Sequence, residues 1–285
     1  MPSAPLRVVD AHVHFWDPSL LRYPWLDEEP GLRRAFLPED FTPLQTGAVD
    51  AVVFVEANAT NHAREVQWIE RLAAAESRIA GIVAMVDLLG EPARDAALDV
   101  LKRSPRVVGV RHNIQGRAPR FATSAVFVRG VRAVTERGFP FDLCITADQL
   151  PDVIELAESC PDARFVLDHC GKPAIRANAF EAWAEQIAQL AANERVWCKL
   201  SGLLTEAGAE QRDSESLRRY VEHVMSCFGP PRLIYGSDWP VSTLGGGAEH
   251  WRAIVDELTT NWSDADRQAL FADNAIRFYG LELNV

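Results

Sequence analysis

The stretch Val8-Val9-Asp10-Ala11-His12-Val13-His14 is a short apolar run that ends in two histidines spaced two residues apart. Side chains at alternate positions of a strand point to the same side, so His12 and His14 are both expected to face inward at the carboxyl end of a first strand. Two imidazoles in that position can share one cation or polarise one substrate oxygen. Taken alone, such a pair is more often two ordinary histidines at a strand end.

Seven further apolar runs follow, and they alternate with stretches of helical periodicity. The runs are continuous rather than alternating, as in strands buried on both faces of a parallel sheet. The eight predicted strands are Val8–His14, Ala51–Ala57, Ile79–Leu88, Val107–Ile114, Pro140–Ile145, Arg164–Gly171, Val196–Leu203 and Arg232–Trp239. Helices are predicted at His62–Glu76 and Ala179–Ala192, with capping residues at Asp213 and Ser214 and at Ser263, and a helix end at Gly280.

Eight such units predict either a (β/α)8 barrel or a doubly wound sheet. No Gly-x-Gly-x-x-Gly motif follows the first strand, which weakens the dinucleotide-binding form of the doubly wound sheet, and eight strands are the number that closes a barrel. We therefore predict an α/β protein with a single (β/α)8 barrel of the TIM type over residues 1–285. The irregular stretch 15–39, rich in Pro, Trp and Tyr, is expected to lie over the C-terminal face as an active-site loop.

The composition narrows the class of partner and the compartment. The chain of 285 residues has a formal net charge of −11, which repels nucleic acid and acidic membranes, and no apolar stretch is long enough to span a bilayer. The five cysteines are widely spaced and form no CxxC pair, which favours reduced thiols in a cytoplasmic protein. The expected partner is a small molecule, and a homo-oligomer is compatible with the sequence.

The second informative segment is Tyr235-Gly236-Ser237-Asp238-Trp239-Pro240, in which Asp238 ends the apolar run of strand 8. Strands 1 and 8 are neighbours in a closed barrel, so Asp238 is expected to lie close to His12 and His14. A carboxylate there can bind a metal ion, accept a proton from water, or do both in turn. A turn-forming aspartate is the alternative, but the convergence of separate segments favours a functional residue.

Strand 6 ends in the pair Asp168-His169, of which a regular strand turns only one inward. We choose His169, because an imidazole can donate a hydrogen bond to a developing oxyanion and later pass on a proton. The alternative is a histidine that caps the turn before the next helix. The predicted catalytic set is Asp238, His169, His12 and His14.

Four further side chains are candidates for binding substrate. Arg111 on strand 4 presents a fork that suits planar oxygen acceptors, and a salt bridge at the barrel rim is an equal alternative. Lys199 on strand 7 and Asp142 on strand 5 are charges inside apolar runs, either inward and functional or, for the lysine, snorkelling. Trp16 in the loop after strand 1 either walls the pocket or packs against the barrel.

Five motifs, one per strand end, resemble a known family. They are DAHVHFWDP from Asp10, GVRHNIQ from Gly109, LDHCGKP from Leu167, KLSGL from Lys199 and YGSDWPV from Tyr235. Together they resemble the amidohydrolase superfamily, in its branch of sugar-lactone and dicarboxylate lactonases. The resemblance implies a distorted (β/α)8 barrel and hydrolysis at a carbonyl centre.

The same resemblance implies roles for particular residues. Asp238 would activate the water, and Arg111 would help to orient the substrate. The imidazoles of His12, His14 and His169 would polarise the lactone carbonyl or bind metal.

The chain departs from the metal-rich members of that superfamily, which carry a carboxylated lysine on strand 4 and a histidine on strand 5. Here strand 4 has Arg111 and no lysine, and strand 5 has no histidine, so a binuclear centre is not expected. His12, His14 and Asp238 could hold one divalent cation, for which Zn²⁺ is the first choice. The reaction could equally run without metal.

The function that the resemblance implies is hydrolysis of a sugar-acid lactone, an aldonolactone such as L-fucono- or L-rhamnonolactone. Water would attack the ring carbonyl with Asp238 as general base. The aromatic and acidic loop after strand 1 suits a polyol ring better than a dianion. Three alternatives stay open: a dicarboxylate lactone hydrolase, a metal-dependent decarboxylase of the same superfamily, and a non-catalytic barrel that binds a sugar acid or a protein.

Overall fold

The computed structural model describes residues 6–283, and the eight predicted strand regions form one sheet in it. Neighbouring strands are parallel and follow the order of the sequence. The strands are β1 (Val9–Val13), β2 (Ala51–Val55), β3 (Ile79–Met85), β4 (Val107–Arg111), β5 (Phe141–Leu143), β6 (Phe165–Leu167), β7 (Val196–Leu200) and β8 (Leu233–Tyr235). The architecture is the predicted (β/α)8 barrel.

Helices connect the strands and bury their apolar faces against the barrel. In chain order they are α1 (Thr42–Gln45), α2 (His62–Ala75), α3 (Ala93–Leu101), α4 (Ala125–Glu136), α5 (Leu150–Ser159), α6 (Glu181–Ala191), α7 (Leu203–Glu206), α8 (Ser214–Phe228), α9 (Ala248–Leu258), α10 (Asp264–Gln268) and α11 (Asn274–Tyr279). Two of the predicted caps are in place: Asp213 accepts from the backbone N–H of Ser216, and Ser263 from that of Asp266, whereas Ser214 is the first residue of α8 and not its cap. Gly280 ends α11 in the left-handed conformation.

The barrel closes between β8 and β1 at its C-terminal end. The backbone N–H of Asp238 donates to the carbonyl of His12 at 2.9 Å, and that of His14 donates to the carbonyl of Trp239 at 2.7 Å. Register shifts interrupt the pairings of β1 with β2, β2 with β3, and β3 with β4. The barrel is therefore distorted, and its closure holds the segment after β8 against the two histidines of the first strand.

The C-terminal helix closes the opposite end of the barrel. A π-helical turn joins α10 to α11, and Asn274 Nδ2 donates to the carbonyl of Leu233, the first residue of β8, at 2.7 Å. One apolar cluster unites this helix with side chains from the strands, namely Val9, Ala11, Val53, Val83, Val166 and Ile234 with Phe278, Tyr279 and Leu281. The floor of the barrel is thus apolar.

Residues 15–39 pack beside the carboxyl ends of β1 and β2. Trp16 and Phe36 form an isolated antiparallel bridge, and Trp25 Nε1 donates to the carbonyl of Ala57, just beyond β2, at 2.8 Å. Trp16, Phe36 and Tyr23 are buried in the core. The loop is therefore anchored through its aromatic side chains.

The predicted strands extend beyond the carboxyl ends of the observed strands. The sixth was expected to reach Gly171, but it ends at Leu167, because the backbone from His169 to Lys172 has positive φ. The third was expected to reach Leu88 and ends at Met85. Apolar composition continues into the buried loops, so composition alone does not mark where a strand ends.

Composition led to two expectations, reduced cysteines and no segment that spans a membrane. All five cysteines are free, and four of them are buried. Among the helices of residues 6–283, none has the length and apolar character needed to cross a membrane.

Candidate active site

Four side chains converge at the C-terminal mouth of the barrel: His12 and His14 at the end of β1, His169 after β6, and Asp238 after β8. Asp238 Oδ1 lies 3.3 Å from His14 Nε2, 3.7 Å from His12 Nε2 and 3.8 Å from His169 Nε2. All four side chains are buried, and His14, the most exposed of them, is 7% accessible. The structure thus brings the four residues of the predicted catalytic set together.

The orientation of His14 is fixed from behind by the end of β2. Its Nδ1 lies 2.8 Å from the carbonyl of Val55, and because a carbonyl can only accept, Nδ1 carries the proton. In the neutral ring Nε2 then carries a lone pair, and this lone pair faces the Asp238 carboxylate. Two acceptors at 3.3 Å require a donor or a positive charge between them, which a proton on the ring, a metal ion or a water molecule supplies.

His169 reaches the site because the chain after β6 turns in the left-handed sense. His169, Cys170, Gly171 and Lys172 have φ angles of 55°, 53°, 69° and 47°, a conformation that costs a non-glycine residue roughly 1–2 kcal/mol. Trp183 Nε1 donates to the carbonyl of Cys170 at 2.9 Å, and the Lys172 N–H donates to the carbonyl of His169 at 2.9 Å. These contacts offset the strain and hold the turn in a single shape.

Two residues after β7 seat the imidazole of His169. Ser201 Oγ lies 2.9 Å from its Nδ1. Gly202 has a φ of +70°, and a Cβ at this position would lie 2.5 Å from the ring. The serine orients the ring, and the absent side chain of the glycine leaves room for it.

Asp168 also faces the barrel interior, so the expectation that only one of Asp168 and His169 points inward is wrong. Asp168 Oδ1 lies 3.3 Å from His12 Nδ1, below the ring. Strand alternation fails here because β6 ends at Leu167, and the left-handed turn returns His169 to the same side.

The electrostatics favour an ionised Asp238 beside uncharged His12 and His169. Burial alone would raise the pKa of Asp238, but the facing imidazoles of His169, His14 and His12 outweigh it and hold that pKa below its usual value. Burial lowers the pKa of His169 to about 4. Burial and the charge of Lys199 likewise lower the pKa of His12. At neutral pH the site therefore combines an ionised Asp238 with uncharged His12 and His169.

A layer of buried charges lies directly under these side chains. Lys199 Nζ lies 2.6 Å from Asp142 Oδ2, 3.0 Å from Asp168 Oδ1 and 3.2 Å from His12 Nδ1. The Tyr279 hydroxyl donates to Asp142 Oδ2 at 2.8 Å. Although burial opposes its charge, the carboxylates of Asp142 and Asp168 raise the pKa of Lys199. Lys199 is therefore a cation, and it ties β5, β6 and β7 to the first histidine.

Arg111 belongs to the same layer. Its Nε donates to Glu56 Oε1 at 2.7 Å, and its Nη1 donates to Asp168 Oδ2 at 3.2 Å. The side chain of Arg111 is 4% exposed. Because its donors are engaged with two buried carboxylates, the guanidinium fork does not face the mouth as a free binding group.

The structure therefore differs from the expectation that Arg111, Lys199, Asp142 and Trp16 face a substrate. Lys199 and Asp142 are fully buried beneath the imidazoles. Trp16 is also fully buried, and its Nε1 donates to two backbone carbonyls of its own loop. Their contacts place these side chains as supports for the histidines, and direct binding of substrate by them stays a prediction.

Sequence reasoning missed Glu56, Ser201 and Tyr279. Glu56 and Ser201 directly follow β2 and β7, so the logic that selected strand-end residues elsewhere could have selected them too. Tyr279 lies on a helix 137 positions from Asp142, and nothing in its local sequence signals that partner.

The side chains at the mouth fit one divalent metal ion. The ligand atoms of His12, His14 and Asp238 lie within 4.8 Å of one another. His12 Nε2 is buried and has no hydrogen-bond partner within residues 6–283. Two imidazole nitrogens and a carboxylate oxygen form a ligand set typical of catalytic Zn²⁺, which takes water as its fourth ligand.

Comparison with known proteins matches the whole barrel. The amidohydrolase family model covers residues 9–281. The chain is 33% identical to an L-fucono-1,5-lactonase from Burkholderia multivorans and 34% identical to one from Burkholderia ambifaria, in each case over 96% of both chains. A crystal structure of an amidohydrolase from Burkholderia multivorans with bound zinc superposes with a TM-score of 0.86 at 33% identity, covering 97% of this chain and 100% of that one.

Proposed function

The chain belongs to the amidohydrolase family, and we propose that it hydrolyses the lactone of a sugar acid, with Asp238 as the general base. The observation that carries the proposal is one buried carboxylate oxygen within 3.8 Å of three imidazole nitrogens. These groups lie at the C-terminal face of the barrel, where TIM-barrel enzymes place their active sites. An ionised carboxylate accepts a proton, and neutral imidazoles donate hydrogen bonds to an oxygen that gains charge.

The reaction needs a proton acceptor for water and donors for the carbonyl oxygen. Asp238 takes a proton from water while the water oxygen bonds to the ring carbonyl carbon. The carbonyl oxygen becomes an oxyanion that accepts hydrogen bonds from the imidazole N–H groups of His12 and His169. The bond between the carbonyl carbon and the ring oxygen then breaks. The proton on Asp238 passes to that oxygen, and the product is the open hydroxy acid.

The buried layer governs which nitrogen of His12 carries the proton. Lys199 Nζ is a donor 3.2 Å from Nδ1, and Asp168 Oδ1 is an acceptor 3.3 Å from it. When Lys199 donates, Nε2 carries the proton and can donate to the oxyanion. When Asp168 accepts a hydrogen bond from Nδ1, Nε2 carries a lone pair that can bind a cation. His12 can thus serve hydrolysis with or without metal.

His12, His14 and Asp238 would hold a single divalent ion, with Zn²⁺ as the first choice. When bound, such an ion supplies Lewis-acid polarisation of the carbonyl and a lowered pKa of bound water. The zinc in the related Burkholderia multivorans structure supports this choice.

The proposed substrate class is an aldonolactone, such as L-fucono-1,5-lactone. The relatives that act on this lactone support the assignment. The engagement of Arg111 with Glu56 and Asp168 also supports it, because a dicarboxylate substrate needs free cations at the mouth.

Acid release from a panel of lactones tests the proposal. The panel comprises aldono-1,4- and 1,5-lactones and dicarboxylate lactones, each assayed with and without a chelator. We expect the fastest hydrolysis with one aldonolactone. Loss of all activity in chelator, restored by Zn²⁺, would assign an essential metal, whereas unchanged activity would assign the metal-free route. Absence of hydrolysis with every lactone of the panel would contradict the proposed function.

Asp238→Asn tests the role of the base. Asparagine keeps the size of the side chain but cannot accept the proton, so we expect kcat to fall by roughly 10³-fold with the fold intact. Asp148→Asn, an exposed aspartate, is the matched control and should retain full activity. Near-normal turnover by a folded Asp238→Asn protein would remove Asp238 from this role.

A further inference from the structure

The seam between β8 and β1 has no regular ladder of hydrogen bonds within residues 6–283, and a single bridge pairs Val13 with Trp239. Farther from the mouth, a side chain takes the place of a backbone acceptor. Asp10 Oδ1 accepts a hydrogen bond across the seam from the backbone N–H of Ser237 at 2.8 Å. Ser237 directly precedes Asp238, so this bond holds the backbone from which the proposed base extends.

The same oxygen of Asp10 supports an irregularity in β1. From Asp10 to Val13 this strand advances three residues while β2 advances only two, from Val52 to Phe54, which is the count of a β-bulge. The backbone N–H of His12, inside the bulge, donates to Asp10 Oδ1 at 3.2 Å. Bulges next to active sites direct side chains, and the side chain inside this one is the imidazole of His12.

The backbone around Asp10 is closely packed, and Asp10 itself is fully buried. A Cβ on Gly236 would lie 2.7 Å from His12 Cβ, and Trp251 Nε1 donates to the carbonyl of Gly236 at 3.0 Å. The N–H of Asp238 donates in turn to the carbonyl of His12 at 2.9 Å. One buried oxygen therefore fixes the backbone on both sides of the seam, where an imidazole and the carboxylate of the site extend from it.

We propose that Asp10 is a positioning residue for the reaction, which sets the distance between Asp238 and the imidazoles of His12 and His14. The proposal rests on the lactone hydrolysis proposed above, since these are the groups of that reaction. Asp10 acts through an acceptor atom, because its Oδ1 receives both N–H groups while its Oδ2 has no hydrogen-bond partner in the part of the chain that the structure describes. An amide, which keeps one acceptor oxygen, should therefore replace the carboxylate.

Rescue by asparagine tests the proposal. Asp10→Ala removes the acceptor, and we expect kcat for the best aldonolactone to fall by about 100-fold, the usual effect of moving a catalytic group by about 1 Å. KM should change far less, because the displaced groups act mainly in the transition state. Asp10→Asn should keep kcat close to the wild-type value. If Asp10→Ala does not fold, Asp10→Ser, whose shorter side chain leaves room for a bridging water molecule, should show a smaller loss of the same kind.

Asp50→Ala controls for the loss of a carboxylate that bonds the backbone of the first strand. Asp50 Oδ2 accepts from the N–H of Val8 at 2.7 Å, just before β1 begins and so at the end of the barrel away from the mouth. This variant should lose stability but keep kcat. An equal loss of kcat in Asp50→Ala and Asp10→Ala, or in Asp10→Asn and Asp10→Ala, would overturn the positioning role, and so would full activity of Asp10→Ala.

Crystal structures of the wild type and of the folded Asp10→Ala or Asp10→Ser variant separate this proposal from the proposed function. The distance between Asp238 Oδ1 and His14 Nε2 is 3.3 Å, and we expect it to lengthen in the variant. If it lengthens but the wild type cleaves no lactone, Asp10 still positions these groups and the hydrolase assignment falls. An unchanged distance would overturn the role of Asp10, whatever the activity.

Discussion

Gly202 determines where the imidazole of His169 can lie. A methyl group at this position would lie 2.5 Å from the ring, and the φ of +70° would be strained for any side chain. We predict that Gly202→Ala displaces His169 and lowers kcat by about 100-fold, since a shift of about 1 Å in a catalytic group has effects of this size. Steady-state hydrolysis of the best aldonolactone measures the change.

Gly47 provides the control for backbone strain at Gly202. It has a φ of +74°, and a Cβ there would meet nothing within 4 Å. Gly47→Ala should therefore cost a similar amount of conformational energy, about 1 kcal/mol, without loss of activity. Equal activity of the two variants would show that contact with Gly202 does not position His169.

The sequence predicted which side chains meet at the mouth of the barrel, but it did not predict every group that surrounds them. His12, His14 and Asp238 follow from strand alternation and from the neighbourhood of strands 1 and 8. The inward turn of both Asp168 and His169 could not be predicted, because it depends on a left-handed turn held by tertiary contacts. The alternation of side chains along a strand, which repeats every two residues, cannot indicate such a turn.

Lys199 joins three strand ends through charge. It lies within 3.2 Å of atoms of Asp142, Asp168 and His12. We predict that Lys199→Met lowers the free energy of unfolding by about 3–5 kcal/mol, because it leaves buried carboxylates without their cation. The loss should be read as a shift in the midpoint of urea unfolding.

A second substitution separates the charge of Lys199 from its packing. Asp142→Asn removes one of the two carboxylates that Lys199 neutralises, so the double variant Lys199→Met/Asp142→Asn should be more stable than Lys199→Met alone. A coupling free energy of about 1–3 kcal/mol is expected for groups in one network. If the two effects simply add, the methylene stem of Lys199 rather than its charge holds the strands.

Strand positions were predictable because each element carries its own apolar run, and all eight predicted runs contain a strand. The ends of the strands were less predictable. The sixth and seventh runs continue beyond their strands as buried residues, among them Cys170 in the turn after β6 and Leu203 at the start of α7. Burial, which composition reports, continues beyond the point where hydrogen bonding between strands stops.

The barrel floor and the side chains at its C-terminal mouth form one connected structure. The Tyr279 hydroxyl, on the C-terminal helix, bonds Asp142, which bonds Lys199, which contacts His12. The barrel itself was predictable from the count and order of β/α units. This connection was not, because it joins a helix near one end of the chain to strands far away in sequence.

Tyr279→Phe tests this connection. The variant keeps the ring in the apolar floor and removes only the donor to Asp142, a charge-assisted hydrogen bond worth about 1.5–3 kcal/mol. We expect the midpoint of urea unfolding to fall by a corresponding amount. Asp142 would then bond Lys199 alone. We therefore also expect kcat to fall, but by less than in Gly202→Ala.

Tyr23 is the matched control, since its hydroxyl is buried and has no hydrogen-bond partner within residues 6–283. Tyr23→Phe removes a buried hydroxyl that gains nothing from the fold, so it should be neutral or slightly stabilising. The difference between the two variants therefore measures the bond to Asp142 and not the general effect of losing a buried hydroxyl. If both variants unfold at the same urea concentration, the C-terminal helix holds the barrel by apolar packing alone, and the charged layer under the histidines is independent of the floor.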